Sequence, residues 1–214
     1  MKMPRKGSAK TCNNLLAVAS EIFAEKGYRD TTIADICERA GTNIASVNYH
    51  FGDKETLYRE AWRRSFLESV KTHPPDGGVS DSAPPKARLR GQVSALLRRI
   101  ADENNREFLI VEKEFTNPTG LLDEVLKKEI RPLQERMRAV IRDLLGAHIP
   151  DRLVQFCEIS VISQCINPMV VRRGRKEKQA HENDPPGIED IEAYADHVTK
   201  FSLGGIGAIR KAGE

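Results

Sequence analysis

A chain of 214 residues with 39% hydrophobic and 30% charged residues has the make-up of an ordinary core-forming protein, as one mid-sized domain or two small ones. No stretch approaches the roughly 18 apolar residues of a membrane helix, and no apolar run follows the basic N-terminus as a signal peptide requires. The net charge of +3 is confined to the first third, where residues 1–71 hold 12 Lys/Arg against 9 Asp/Glu while the remainder holds 22 of each.

Lys2, Arg5, Lys6 and Lys10 form an acid-free basic arm suited to phosphate attraction. The four cysteines, Cys12, Cys37, Cys157 and Cys165, contain no CxxC pair, so neither a disulfide framework nor a zinc knuckle is indicated. Free thiols in a chain without a signal peptide suggest the cytoplasm, with no membrane partner.

In chain order the pattern is helical. Leu15, Leu16, Ala19, Ile22 and Phe23 share one helical face that stops at Gly27. Ile33, Ile36, Cys37 and Ala40 repeat the period up to Gly41, and Thr32 with Asp35 has the spacing of a capping box. Asn43 can cap a short helix to Phe51, and Asp53 a fourth through Leu57, Ala61, Trp62, Phe66 and Val70.

His73–Pro85 (HPPDGGVSDSAPP) reads as a flexible connection. Helices at about 86–104, 106–117 and 120–146 follow, the last with Pro132 inside its apolar stripe, where a kink is expected. From Leu153 to Val171 the next helix is apolar almost all round, which calls for cover on both sides. A polar loop at about 172–187 precedes a final helix from Ile188 to Ile209, and no strand pattern or repeat occurs.

Thr31–Phe51, TTIADICERAGTNIASVNYHF, carries the most information. Two short helices meet at Gly41, where a helix-turn-helix corner needs positive φ. The second helix leaves only Ile44, Val47 and Phe51 for packing, while Asn43, Ser46, Asn48, Tyr49 and His50 are of the types that reach base edges and phosphates in a major groove.

EKGY, TTIADICERAG, NYHF and GDKETLY stand at set spacings within Ala17–Phe66, and this pattern resembles the TetR family of bacterial regulators. EFTNPTG, LLDEVLKKEIRPLQERM and PPGIEDIEAYADHVTKFSLGGI, over roughly 85–210, resemble the C-terminal domain of its CecR-like branch. The resemblance implies an all-α fold. A three-helix DNA-binding domain would occupy 1–55 and a larger helical effector-binding and dimerisation domain 56–214.

It also implies residue roles. Thr32 would offer its hydroxyl and backbone N–H to a phosphate. Asn43, Ile44, Ala45, Ser46 and Asn48 would face the groove, Tyr49 and His50 would touch sugar-phosphate, and Lys54 would pair with another phosphate. Asn43 is equally a helix cap, and His50 equally a packing residue against the first helix. Asn48 stands where many members have Tyr, which bears on base preference.

The implied partners are double-stranded operator DNA, a second copy of the chain and an unidentified small-molecule effector, with no cofactor, no metal and no catalytic residue. The dimer surface is expected on the helices at about 151–170 and 188–211, where Gly204, Gly205, Gly207 and Ala208 permit close approach. Phe108, Val111, Phe115, Val125, Phe156, Ile159 and Gln164 are the candidate effector contacts, with Arg106, Glu112 and Glu114 as polar anchors or plain surface charges.

The expected activity is repression relieved by the effector through a population shift between dimer spacings. A metal- or redox-responsive regulator of the same fold, with Cys157 and Cys165 as a conceivable pair, is an alternative. A helical interaction module without DNA binding is another. An enzyme is excluded, since no nucleophile elbow or HExxH occurs and the five histidines have no ligand spacing.

Overall fold

The computed structural model describes residues 6–176, 188 and 190–213, with the side chains of 6, 7 and 169–176 left aside. Among these the chain forms nine helices and no strand. They are α1 (Lys6–Lys26), α2 (Ile33–Ala40), α3 (Ile44–Phe51), α4 (Lys54–Thr72), α5 (Pro85–Ala101), α6 (Arg106–Thr116), α7 (Asp123–Leu145), α8 (Asp151–Lys176) and α9 (Ile191–Gly213). The all-α expectation is met. Lys2 and Arg5 of the basic arm, and most of the polar loop before the last helix, lie outside the described residues.

The helices gather into two compact units. The first contains residues up to Ser69 together with Asn104–Glu129, so α6 and the start of α7 belong with α1–α4. Its core follows from the apolar periodicities: Leu15, Ile22 and Phe23 of α1, Ile36 of α2, Val47 of α3, Leu57, Tyr58 and Trp62 of α4, and Ile110 of α6 are buried. Burial of each large side chain contributes about 1.5–3 kcal/mol before ordering costs. Phe23 and Tyr28 both pack against Tyr58, with ring centroids 4.7 and 5.1 Å apart. Glycines at φ +78 and +80 end α1 at Gly27 and α3 at Gly52.

The second unit comprises Val70–Glu103 and the chain from Ile130 onward. Here α5 packs against both α8 and α9. Leu89, Val93 and Leu97 of α5 are buried, as are Val154, Cys157, Val161 and Cys165 of α8 and Ala195, Val198 and Ile206 of α9. Arg90 pairs with Asp196 at 2.7 Å and Arg98 with Glu192 at 2.7 Å, tying α5 to α9 at the surface.

The stretch His73–Pro85 differs from the flexible connection its composition suggests. It is a series of turns, closed by Gly77 N–H to Pro74 O (2.9 Å), Val79 N–H to Asp76 O (3.2 Å) and Ala83 N–H to Ser80 O (3.0 Å). Asp76 also accepts the Gly78 N–H at 2.7 Å in an Asx turn. The turns pack on α5 at its buried Gly91, where an added Cβ would lie 2.4 Å from Asp76 O. Glycine here serves close approach rather than looseness.

A second difference concerns α8. The sequence calls for cover on both sides, yet Phe156 is 47% and Ile159 60% exposed, as is Phe201 of α9 at 66%. One apolar face of the α8–α9 pair is therefore open within the single chain.

Candidate nucleic-acid interface

Short polar side chains set the ends of the two helices that define the site. Thr32 Oγ1 accepts the Asp35 N–H at 3.0 Å while the Asp35 carboxylate takes the Thr32 N–H at 3.4 Å, completing the capping box of α2. Gly41, at φ +62, turns the chain at the other end, and the Thr42 N–H returns to Cys37 O at 2.9 Å. Asn43 Oδ1 then accepts the Ser46 N–H at 3.0 Å and the Ser46 hydroxyl at 3.1 Å, and the Thr42 hydroxyl donates to Ser46 Oγ at 3.0 Å. Asp53 Oδ1 takes the Thr56 N–H at 2.7 Å to start α4. Eight-residue helices are not stable alone, so these caps and the buried face of each helix hold them in place.

Polar contacts fix α2 on α1. Asn14 Nδ2 donates to Ala40 O at 2.8 Å, Lys26 pairs with Asp35 at 3.2 Å, and Arg39 with Glu25 at 2.9 Å. The Lys26 and Thr32 hydrogen bonds hold the Asp35 carboxyl below its ordinary pKa, and the Thr56 N–H does the same for Asp53.

Val47 is the fully buried anchor of α3. Around it Asn43, Ile44, Ala45, Asn48 and Tyr49 are exposed, and Ser46 and His50 half-buried. Ile44 is 52% and Tyr49 79% exposed, so both stand outside the packed face of the helix. The His50 ring stands between those of Tyr49 (4.9 Å, edge-on) and Phe51 (6.0 Å). Thr32 is exposed but its hydroxyl oxygen and N–H serve the capping box, which leaves the hydroxyl proton to donate outward.

Lys54, the first residue of α4, lies with Nζ 4.2 Å from the centroid of the Tyr28 ring. Burial pulls its pKa down, opposed by Asp30. Tyr28 and Asn14 are contributors that periodicity alone did not single out. Tyr28 closes the EKGY segment and supports Lys54 from beneath, whereas Asn14 acts through a backbone carbonyl that no residue pattern marks.

The candidate effector residues are distributed between the units. Phe108, Val111 and Val125 are half-buried and Phe115 is 81% exposed in the first. In the second, Phe156 and Ile159 stand on the open face of α8, while Gln164 Nε2 turns to Ser160 O (3.0 Å) and Ser202 Oγ (3.4 Å). Glu114 is neither a ligand anchor in waiting nor a surface charge, because it is buried and bonded to Tyr58 Oη at 3.0 Å.

The four cysteines are free, and burial raises the thiol pKa of each, Cys165 to about 12. Such thiols have little thiolate, which gives the redox alternative no support. Among the described residues no group of three His, Cys, Asp or Glu could hold a metal, and no helix is long and apolar enough to cross a membrane.

A capped, outward-facing α3 seated on α1 and α2 through one buried valine defines the class: a helix-turn-helix protein built to read a duplex. Residues 15–61 match the family of bacterial regulatory proteins called tetR, and residues 85–206 match the C-terminal domain of the HTH-type transcriptional dual regulator CecR. The chain belongs to the TetR family, with a C-terminal domain of the CecR type, and this is a family of transcriptional regulators and not of enzymes.

It is 27% identical over 147 residues to the transcriptional dual regulator CecR of Shigella flexneri, covering 64% of this chain and 66% of that one. It is 34% identical over 100 residues to the transcriptional repressor KstR2 of Mycobacterium tuberculosis, covering 47% and 48%. The matched stretches thus span 66% of the first relative and just under half of the second. In fold it is similar to the transcriptional regulator FadR of Bacillus subtilis, solved in complex with stearoyl-CoA, at a TM-score of 0.67, 14% identity and coverage of 90% and 98%.

Proposed function

We propose that this chain is a ligand-responsive transcriptional repressor that acts in the cytoplasm as a homodimer and leaves its operator when a small-molecule effector binds. The observation that carries the reading is α3 itself, a helix locked by caps at both ends that keeps Ile44, Asn48 and Tyr49 in the open. In this reading Asn43, Ile44, Ala45, Ser46 and Asn48 meet base edges. Tyr49, His50, Lys54 and the Thr32 hydroxyl meet the backbone on either side. The DNA-binding domain would be 1–55 and the effector-binding and dimerisation domain 56–214.

Two features support the dimer. The open face of α8 and α9 presents Phe156 and Phe201 at a groove of about 180 Å³, and Ile159 is exposed on α8 as well. On α9 a Cβ added at Gly204, Gly205 or Gly207 would meet no other part of the chain within 4 Å, leaving room for a partner helix. Phe156, Ile159 and Gln164 therefore fit the subunit interface better than the effector site. Phe108, Val111 and Phe115 of α6, with Val125 of α7, remain the effector-facing set. Repression and effector release are carried over from relatives named as repressors and from a similar fold that holds stearoyl-CoA.

The test begins by selecting duplexes from a random pool with the purified protein. Enriched pseudo-palindromic duplexes, with half-sites about 34–36 Å apart, support the reading. Failure to enrich any duplex over the starting pool overturns it. Phe201→Glu should convert the dimer to monomer in light scattering and weaken binding to the selected duplex. A wild-type monomer would remove the dimer from the account.

A further inference from the structure

Glu114 is a buried carboxylate that the DNA-reading surface does not use, and its bonds run to two parts of the first unit. On one side Tyr58 Oη, on α4, donates to Oε2 at 3.0 Å. On the other, the connection between α6 and α7 folds back onto it. The Thr119 N–H (2.7 Å), the Gly120 N–H (2.8 Å) and the Thr119 hydroxyl (2.8 Å) all point to Oε1. Thr119 Oγ1 in turn accepts the Leu121 N–H at 3.1 Å.

The same connection is held from outside by two arginines, one in the turn after α1 and one on α4. Arg29 donates to Pro118 O at 3.1 Å and Arg59 to Leu121 O at 3.0 Å. Backbone carbonyls and N–H groups of one short connection are thus claimed by α4, by the turn after α1 and by Glu114.

The position of Tyr58 gives this clasp its consequence. Tyr58 is fully buried, its ring lies 5.1 Å from that of Tyr28, and Tyr28 is the ring beneath Lys54. A chain of direct contacts therefore joins the 119–120 turn to the ammonium at the edge of the reading surface, through Glu114, Tyr58 and Tyr28.

We propose that Glu114 is a positioning residue for DNA reading: acting through Tyr58, it fixes the seat of Tyr28 and Lys54 at the edge of the α3 surface. It touches no DNA itself. A carboxylate suits the task because it is acceptor-only and can take two hydroxyls and two N–H groups at once. An amide at the same place would turn an NH₂ toward one of these donor sets, and a phenylalanine at 58 would remove the bond from Tyr58 to Glu114 while leaving the loop clasped. The inference rests on the DNA-reading assignment made above.

The test uses the full-length protein and a fluorescent duplex enriched by the wild type from a random pool. Affinities of wild type, Glu114→Gln and Tyr58→Phe are normalised to active protein by stoichiometric titration. Both variants should bind the selected duplex at least about fivefold more weakly per active molecule and should weaken binding to a shuffled duplex as well, as loss of a phosphate contact does. In a double-mutant cycle, Lys54→Ala should weaken binding less in the Tyr58→Phe background than in wild type.

A merely structural role would lower the active fraction and the melting temperature but leave the normalised affinity alone. That result in Tyr58→Phe overturns the proposal, and Tyr58→Phe alone decides should Glu114→Gln not fold. If the wild type enriches no duplex, the DNA-reading assignment fails first and takes this inference with it. If the wild type binds and both variants match it within twofold, only the role of Glu114 is refuted.

Discussion

Lys54 Nζ lies 4.2 Å from the centroid of the Tyr28 ring, at the N-terminus of α4 and beside the exposed end of α3. The ring holds the ammonium in place while Asp30 partly offsets the effect of burial on its charge. A cation held by an aromatic face rather than by a direct carboxylate pair stays available to a phosphate.

Removing that charge should weaken operator binding without changing which sequence is read. Lys54→Ala is expected to weaken binding to selected and shuffled duplexes alike and to reduce the slope of log affinity against log salt by about one. Tyr49→Ala should also weaken binding in a gel shift at fixed salt. Wild-type affinity in both variants would remove these two residues from the interface.

The capping box of α2 makes the reading head sensitive to one hydroxyl. Thr32→Ala should cost about 1 kcal/mol in urea unfolding, since it leaves the Asp35 N–H without its partner. The Asp35 carboxyl sits below its ordinary pKa, so its contribution is present above the usual carboxylate range and is lost as the pH falls through its lowered folded value. The unfolding difference between wild type and Asp35→Asn should accordingly be full at neutral pH and shrink under acid conditions. A difference that grows on acidification would contradict this.

Gly91→Ala puts a methyl group 2.4 Å from Asp76 O, where backbone must move to receive it. About 1–3 kcal/mol of stability should be lost, read from chemical denaturation. Ala at exposed Gly204, where a Cβ meets nothing, should leave the unfolding of the monomer unharmed. Equal effects at the two positions would mean that the 73–85 turns do not pack on α5.

Thiol reactivity should follow burial. Cys12 is half-exposed and should react first with an aromatic disulfide reagent near neutral pH, whereas Cys165, its pKa pushed up to about 12, should wait for unfolding. Rapid modification of Cys157 and Cys165 in the folded protein would revive a redox role.

Helices whose apolar spacing and caps agree could be read from sequence alone. Ile33, Ile36 and Cys37 between Thr32 and Gly41 specify α2 almost to the residue, and Asn43 marks the start of α3. Two readings failed where a local pattern stands for a contact distant in sequence. Gly77 looks like a linker residue until Gly91, on the following helix, supplies the surface it approaches. Glu114 looks like one more charge on an amphipathic helix, because its partners Tyr58 and Thr119 belong to elements whose proximity is a property of the fold. The same limit scattered the effector candidates, for an apolar residue at helical spacing looks alike whether it faces a core, a ligand or a second subunit.

The most direct measurement of the central claim is the anisotropy of a labelled duplex, enriched by the protein from a random pool, titrated against the same bases shuffled and repeated with Asn48→Ala. The account predicts discrimination of about 10³-fold or more at physiological salt, binding that weakens steeply as salt rises, and an altered base preference in the variant. Equal affinity for selected and shuffled duplexes, or an Asn48→Ala variant whose discrimination matches wild type at every base, would contradict an α3 that reads sequence.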